Sequence, residues 1–302
     1  MDKKYGLGEF AKSLGCRAVY DEPMKCHTSF KTGGGADVFI TADSAANLSL
    51  ICRMARDESI PVFILGNGSN ILVDDSGIRG AVITLGGGFK NICREGGERL
   101  VCGAGASLSR ICAFARENCL SGIEFAWGIP GSAGGAAFMN AGAYGHSVSE
   151  VITSCEYMSA GGTRGTLSGE KLCFGYRHSA FSSGGCIITG MHIKLKEGGM
   201  DEISSRMSEL MCRRKAKQPL EFPSAGSVFK RPLGSFAGKL IEDCGLKGMS
   251  VGGAAVSEKH AGFIINKGGA TSDDIKKLID IIKNTVYCRT GIMLECEIKF
   301  IG

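Results

Sequence analysis

Apolar positions along the chain repeat with the period of a helix in several segments and form short unbroken runs between them. Serines at positions 44 and 107, which are good helix-capping residues, precede two of the periodic segments. The pattern predicts helices around 7–14, 48–55, 108–115, 172, 201–217, 236–244 and 272–287, and strands at 38–40, 62–65, 71–73, 81–85, 89–95, 99–103, 151–158, 186–195, 262–265 and 292–300.

The predicted strands and helices are mixed along the whole chain, without an internal repeat, which indicates the α+β class. The pattern is interrupted at 196–200, where Glu197-Gly198-Gly199 follows a strongly apolar strand. We therefore expect one region at 1–197, itself two lobes divided near 80–100, and a C-terminal domain at 198–302.

Two glycine-rich stretches predict close contact with a ligand, because a residue without a side chain lets backbone N–H groups approach it. The first, Gly122–Gly145, contains the only tryptophan and a single ionisable acid, Glu124. The second, Gly66–Asn70, joins two predicted strands and matches neither a Walker loop nor the dinucleotide fingerprint, both of which open a helix. It is either a concave array of N–H groups for phosphate or a plain hairpin loop.

The amino-acid composition limits the kinds of ligand and binding site that the chain is expected to have. The 302 residues are 44% hydrophobic and 22% charged, as in ordinary globular proteins, and the net charge of +5 is mild and dispersed apart from a cluster at 213–217. This favours an anionic small molecule over nucleic acid. Fourteen cysteines without a C-x-x-C pair predict reduced, buried thiols in a cytoplasm and no zinc or other metal site. We expect no membrane span and infer no obligate protein partner.

Three polar residues stand out by position: Arg177 in an aromatic loop, Ser227 in a small-residue turn, and Glu297 on the last predicted strand. Each also has an ordinary interpretation: Arg177 as a surface or salt-bridged arginine, Ser227 as a residue that forms a turn, and Glu297 as a solvated acid. If the last strand alternates regularly, Glu297 shares a face with Glu295 and Lys299.

The motifs in their order resemble the UDP-N-acetylenolpyruvoylglucosamine reductases, the flavoenzymes that complete UDP-N-acetylmuramate for bacterial cell-wall synthesis. The resemblance runs from about His27 to Gly302 and is most specific in Ala225-Gly226-Ser227 with Phe229-Lys230, and in the terminal Leu-Glu-x-Glu-Ile-Lys. The motifs that carry it are 66–70, 128–135, 140–145, 174–179, 225–230 and 294–302.

This resemblance implies an FAD-binding half of the vanillyl-alcohol-oxidase type, made of two α+β lobes, and a C-terminal α+β substrate-binding domain. NADPH would reduce the FAD and NADP would leave before the UDP-sugar binds in the same cleft. The implied FAD-binding residues are Gly66, Asn67, Gly68, Ser69, Asn70, Gly128, Ile129, Pro130, Gly131, Ser132, Gly134, Gly135, Asn140 and Gly142. The implied substrate-binding residues are Tyr176, Lys217, Arg231, Lys247 and Lys299.

The resemblance also implies roles in the reaction. Hydride from the flavin N5 would reach the methylene carbon of the enolpyruvyl ether, which drives charge into the carboxylate. Arg177 and Glu297 would stabilise that charge, with Glu297 protonated or linked through water. Ser227, helped by Lys217, would give the proton to C2.

Two features depart from the family pattern. The segment between Arg177 and Ser227 lacks the insertion that supplies a substrate-closing tyrosine in one branch, so the chain resembles the shorter branch. Arg231 stands where an asparagine is often found. Two alternatives stay open: an FAD-dependent oxidase of the same superfamily, and a flavin or UDP-sugar binding protein without turnover.

Overall fold

The computed structural model describes residues 3–302, which form seven α-helices with short connections. The helices are α1 (Lys3–Ser13), α2 (Ala45–Asp57), α3 (Leu108–Glu117), α4 (Ala133–Met139), α5 (Met200–Lys217), α6 (Ala237–Asp243) and α7 (Ser272–Thr290).

The strands of residues 3–302 are short and lie in several small sheets. They are β1 (Arg17–Pro23), β2 (Gly35–Ala42), β3 (Val62–Leu65), β4 (Ile71–Val73), β5 (Ile78–Leu85), β6 (Ile92–Arg94), β7 (Arg99–Gly103), β8 (Leu120–Ser121), β9 (Gly142–Ala143), β10 (His146–Ser147), β11 (Ile152–Ser159), β12 (Arg164–Ser168), β13 (Cys186–Lys194), β14 (Lys196–Glu197), β15 (Ser250–Val251), β16 (Ala254–Val256), β17 (Ile264–Asn266) and β18 (Lys299–Ile301).

The chain divides into two compact units. Of the described residues, 3–20, 37–67 and 80–213 form the first unit, and 21–36, 68–79 and 214–302 form the second. The boundary therefore falls within β1, β2 and β5 and at the end of α5.

The first unit contains the larger sheets. One has the order β1-β2-β5-β3, with β3 parallel to β5, and the other has the order β12-β11-β13-β7-β6 and is antiparallel where its pairing is resolved. Helices α2 and α3 each bury one apolar stripe, and their capping serines accept from backbone N–H groups as predicted. A continuous apolar core joins these stripes to both sheets.

The second unit packs α6 and α7 with the sheet β15-β16-β17. Helix α7 begins at a capping box between Thr271 and Asp274, and it buries Ile275, Leu278, Ile279 and Ile282. Strand β4 pairs in parallel with β18, which brings the residues after 70 beside the end of the chain.

Two predictions about local structure are wrong, and one helix was not predicted. The residues between β3 and β4 are not a hairpin loop, because β3 pairs with β5 and β4 with β18. Helix α4 was not expected, since its small side chains give no apolar period. The last strand is confined to Lys299–Ile301, and Cys296 before it forms an isolated bridge with Phe229.

The short helix expected near Leu172 is a 3₁₀ turn at Gly169–Leu172. The fourteen cysteines are free thiols, and eight of them are buried or half-buried in agreement with the prediction. The other six, at positions 26, 93, 119, 173, 212 and 288, are exposed. Burial raises the pKa of the Cys52 thiol to about 11 and that of Cys155 to about 12, so these thiols stay protonated.

Candidate functional site

In the first unit, the start of the Gly66–Asn70 loop lies directly against the start of α4. A Cβ atom on Gly66 would stand 2.7 Å from Ser132 Oγ, so only glycine fits there without a shift. The Ser132 hydroxyl caps the helix by accepting from the Gly135 N–H at 3.3 Å. Two of the predicted cofactor-binding segments, 66–67 and 132–135, are therefore in contact.

The backbone amides at the start of α4 are already used inside the protein. The Ala133 N–H donates to the Ala106 carbonyl at 2.7 Å, and the Gly134 N–H donates to the Ala104 carbonyl at 2.8 Å. The first turn of α4 thus fastens the glycine-rich stretch to the segment before α3. It does not present these amides to a phosphate, and the donors for a phosphate have to come from neighbouring residues.

The remainder of the loop, Gly68–Asn70, belongs to the second unit. Gly68 has a φ of +61° and sits so close to His27 that a Cβ atom would overlap the His27 carbonyl oxygen. The Gly68 carbonyl accepts from the Ser29 N–H at 3.0 Å and from Ser29 Oγ at 3.3 Å. The shape of the loop is therefore held by residues 27–29, a contact that the sequence pattern did not indicate.

Arg177 occupies the tip of a tight turn in the first unit. Gly175 and His178 form a bridge with mutual backbone hydrogen bonds of 3.0 and 3.2 Å, which leaves Tyr176 and Arg177 at the turn. Arg177 has a φ of +55°, and its guanidinium lies 5.5 Å from the centre of the Tyr176 ring. A non-glycine residue in this conformation costs about 1 kcal/mol and is concentrated at functional sites.

The Arg177 turn is tied to the predicted cofactor stretch. Asn140, which ends α4 with a φ of +44°, donates from Nδ2 to the Gly175 carbonyl at 2.9 Å. Ser179 Oγ donates to the Phe138 carbonyl at 2.8 Å. Within the first unit, the predicted residues Asn140, Tyr176 and Arg177 are thus assembled in one place.

In the second unit, Ser227 and Glu297 are brought together by backbone pairing. The Glu297 N–H donates to the Val228 carbonyl at 2.7 Å, next to Ser227. Asn70 Nδ2 donates to the Glu297 carbonyl at 3.3 Å. Ser227 is half-buried, and its hydroxyl donates to the Phe229 carbonyl at 3.1 Å. The predicted residues Asn70, Ser227 and Glu297 therefore form one group.

The predicted common face of Glu295, Glu297 and Lys299 is wrong. Glu297 is 8% exposed, whereas the side chain of Glu295 is 71% exposed and pairs with Lys230 at 3.0 Å. The reason is that residues 292–298 do not form the regular strand that alternation requires. Glu297 is therefore the buried acid of this segment, and Glu295 is the exposed one.

In the second unit, Lys217 and Lys247 lie near enough to His260 to affect its pKa. Burial lowers the pKa of His260, and the positive charges of Lys247 and Lys217 lower it further, so the imidazole is neutral at pH 7. Its Nδ1 accepts from the Gly262 N–H at 3.1 Å, which leaves the proton on Nε2. A Cβ atom on Gly262 would be 3.0 Å from the His260 ring and 3.5 Å from Ser227 Oγ, so His260 is close to Ser227.

Sequence reasoning did not identify His260, because a lone histidine carries no spacing signal. Among the predicted substrate residues, Lys217 and Lys299 are exposed, and Lys247 forms an ion pair of 2.6 Å with Glu242. Arg231 is exposed beside the Phe236 ring. The basic cluster at 213–217 is not a uniform surface, because Arg214 is buried and donates to Gln218 Oε1 at 3.1 Å.

Residues 3–302 contain neither a cluster of metal ligands nor a membrane-spanning helix. No group of three or more His, Cys, Asp or Glu side chains there is arranged to hold a metal ion. Over the same residues, no helix combines the length and the apolar composition that crossing a bilayer requires.

Two family models match the chain. Residues 36–168 match an FAD binding domain, and residues 218–301 match the C-terminal domain of UDP-N-acetylenolpyruvoylglucosamine reductase. The first range contains the Gly66–Asn70 loop, α4 and Asn140, and the second contains Ser227 and Glu297.

Curated relatives and a solved structure match over nearly the full length. The chain is 48% identical to a UDP-N-acetylenolpyruvoylglucosamine reductase of Clostridioides difficile (strain 630), over 93% of this chain and 92% of that protein. It is 50% identical to the protein of the same name from Clostridium botulinum (strain Hall), over 94% and 92%. The crystal structure of the reductase from Thermus caldophilus superposes with a TM-score of 0.82 at 35% identity, covering 95% of this chain and 99% of that one.

Proposed function

The chain belongs to the UDP-N-acetylenolpyruvoylglucosamine reductase family, FAD-containing oxidoreductases of peptidoglycan synthesis, and on that premise we propose how its own residues carry out the reaction. The enolpyruvyl ether of UDP-N-acetylglucosamine enolpyruvate is reduced to UDP-N-acetylmuramate, with NADPH as the reductant. The observation that carries the proposal is the grouping of Asn70, Ser227 and buried Glu297 in a chain that matches the family over more than nine-tenths of its length.

The residues expected to hold FAD fit a bulky, phosphate-bearing group. Gly66 and Gly134 lack the Cβ atoms that would stand 2.7 Å from Ser132 Oγ and 3.0 Å from Ala104 Cβ, so the loop, α4 and the segment before α3 pack closely and fix the shape of the stretch that we assign to FAD. Because the first amides of α4 are internally paired, we assign the phosphate contacts chiefly to Gly66–Asn70. Bound FAD supplies the hydride that the reaction needs. The other assigned residues are Gly128, Ile129, Pro130, Gly131, Ser132, Gly135, Asn140 and Gly142.

Arg177 is assigned to the substrate carboxylate. Negative charge grows on that carboxylate only as the double bond is reduced, so a fixed cation lowers the barrier more than it tightens ground-state binding. The hydrogen bond from Asn140 to the Gly175 carbonyl holds the backbone turn that carries Arg177 before substrate arrives. This prior ordering avoids a cost of reorganisation during the reaction.

Ser227 is assigned as the proton donor to C2, and Glu297 as the acid that stabilises the charge on the carboxylate. A serine hydroxyl is a weak acid, so its proton leaves only when neighbouring groups favour the change. The neutral His260 lies close to Ser227, and the charge of Lys217 acts on His260, so we assign the help to these two groups. Backbone pairing at Val228 fixes the separation of Ser227 and Glu297.

The substrate's diphosphate is assigned to Lys217 and Lys247, with Tyr176, Arg231 and Lys299 as further substrate residues. Phosphate oxygens favour cationic donors of this kind. We keep residues 1–197 as the FAD-binding region and 198–302 as the substrate-binding domain; the two matched family ranges support this division. Because its substrates are the cytoplasmic nucleotides NADPH and a UDP-sugar, we assign the reaction to the cytoplasm.

The test separates the two half-reactions in Ser227→Ala, with Ser250→Ala as a matched control on the exposed strand β15. We expect anaerobic NADPH to reduce the flavin at the wild-type rate in both variants. Oxidation of the reduced flavin by the enolpyruvyl substrate should fall by about 10³-fold or more only in Ser227→Ala, within the range that a positioned proton donor contributes. An equal loss in both half-reactions would contradict the role of Ser227.

A further inference from the structure

The turn that carries Arg177 contains two residues in the left-handed conformation. Cys173 has a φ of +45° and a ψ of +43°, and Arg177 has a φ of +55°. Residues with a Cβ atom rarely adopt this conformation, and they keep it only where the surrounding contacts hold it. The shape of the turn therefore depends on the hydrogen bonds that its residues make.

The side chain of His178 closes this turn across its base. Its Nδ1 lies 3.1 Å from the carbonyl oxygen of Cys173. Because a carbonyl oxygen can only accept, Nδ1 carries the proton and donates the hydrogen bond. The bond joins the residue after Arg177 to the left-handed residue at the start of the turn, and it acts on the peptide group whose direction the ψ of Cys173 sets.

The other hydrogen bonds of the turn act at different points. The backbone bridge between Gly175 and His178 and the bond from Asn140 to the Gly175 carbonyl hold its middle. Ser179 Oγ fastens the residue that follows the turn to a carbonyl of α4. None of these bonds restrains the Cys173 carbonyl, which is the group that the His178 side chain binds.

The strength of this bond is small for the whole fold and large enough to matter for one turn. A hydrogen bond of ordinary strength changes the ratio of two conformations by a factor of about two to ten. A cation that must meet a growing charge works only in the molecules whose turn has the right conformation, so the rate falls with that fraction.

We propose that His178 is a positioning residue for the reaction, and that its hydrogen bond to Cys173 keeps the turn in the conformation in which Arg177 serves the substrate carboxylate. The inference rests on the proposed function, which makes Arg177 the cation for this carboxylate. His178 acts through the backbone of residues 173–178 and contacts neither the substrate nor the flavin.

The test removes the hydrogen bond and then restores it. His178→Ala lacks the donor, whereas His178→Asn retains one, because the amide Nδ2 is as many bonds from the backbone as the imidazole Nδ1. Ser183→Ala is the control, since it removes another exposed side-chain donor of the same unit, which binds the Ala180 carbonyl at 3.4 Å. Each FAD-loaded holoenzyme is measured without oxygen in two half-reactions: reduction of the flavin by NADPH, and its oxidation by saturating UDP-N-acetylglucosamine enolpyruvate.

We expect His178→Ala to slow the oxidation of the reduced flavin about three- to tenfold. Reduction by NADPH should be unchanged, because Arg177 acts on the substrate carboxylate alone. His178→Asn should return the oxidation rate to within about twofold of the wild type, and Ser183→Ala should match the wild type in both half-reactions. In an Arg177→Ala background, His178→Ala should cause no further loss, since its effect passes through Arg177.

An unchanged oxidation rate in His178→Ala would overturn the proposal, as would a loss that His178→Asn does not reverse. An equal loss in both half-reactions, or a full loss in the Arg177→Ala background, would also overturn it, because each indicates a general structural role. These outcomes leave the proposed function intact as long as the wild type oxidises its reduced flavin with the enolpyruvyl substrate. A wild type that never does so refutes the proposed function instead.

Discussion

Replacing Gly68 by alanine tests whether the shape of the Gly66–Asn70 loop is what holds FAD. The new Cβ atom overlaps the His27 carbonyl oxygen. It also lies 3.0 Å from the His27 carbonyl carbon and 3.1 Å from Thr28 Cα, and both distances are shorter than the about 3.5 Å at which two carbon atoms attract each other. Because these are backbone atoms, no rotamer change relieves the overlap. The left-handed conformation at φ +61° adds about 1–2 kcal/mol, and overpacking adds about 1–3 kcal/mol more.

Gly245→Ala is the matched control, because Gly245 has a φ of +68° in the same unit and nothing within 4 Å of its Cβ position. We expect Gly245→Ala to lower the free energy of unfolding by about 1–2 kcal/mol and to leave the FAD dissociation constant unchanged. Gly68→Ala should lower the free energy of unfolding by about 2–5 kcal/mol and weaken FAD binding at least tenfold. The measurements are urea denaturation of the apoprotein and fluorescence titration with FAD. Equal behaviour of the two variants would refute the reasoning.

Three further predictions concern contacts within the second unit. Hydrogen bonds from Lys276 and Ser76 hold the pKa of Asp74 at about 2. The ionised Asp74 side chain therefore stabilises the fold fully above about pH 4, and this stabilisation is lost as the pH falls towards 2. Asp74→Asn should remove this loss of stability from denaturation curves measured between about pH 4 and pH 2. Asp75 accepts from the first two N–H groups of α7, and Asp75→Ala should lower the free energy of unfolding by about 1–2 kcal/mol. Asn70→Ala removes the hydrogen bond to the Glu297 carbonyl, and kcat measured with FAD in excess should fall about tenfold while NADPH still reduces the FAD-saturated enzyme.

The helices with a capping serine and a clean apolar period were predictable from the sequence. Ser44 and Ser107 cap α2 and α3, and the expected apolar positions are buried. These elements depend on local interactions, which the sequence pattern records directly. The strands β11 and β13 were predictable from their length and apolar content, whereas their pairing with each other was not.

Elements that depend on distant partners were not predictable. Helix α4 consists of small residues, and it forms because its amides pair with Ala104 and Ala106. The end of the chain is irregular before Lys299 because residues 295–297 pair with the irregular segment 228–230, and it becomes a strand only where residues 299–301 pair with β4. No periodic pattern within residues 292–300 contains that information.

In the candidate site, too, some features could be predicted from the sequence and others could not. Arg177, Ser227 and Glu297 were found by their resemblance to a family, since each residue type alone had an ordinary interpretation. The contacts that hold them, from Asn140 to the Arg177 turn and from Asn70 to Glu297, are visible only in the structure. His260 was missed, because a single histidine gives no signal without its neighbours.

The most direct test of the central claim is a single-turnover flavin measurement without oxygen. NADPH is added to the yellow holoenzyme until the flavin is reduced, and UDP-N-acetylglucosamine enolpyruvate is then added. The account predicts that the flavin absorbance returns, with about one substrate molecule consumed per flavin, and that Ser227→Ala stays bleached. A flavin that stays reduced with the substrate and regains its colour only when air is admitted would contradict it.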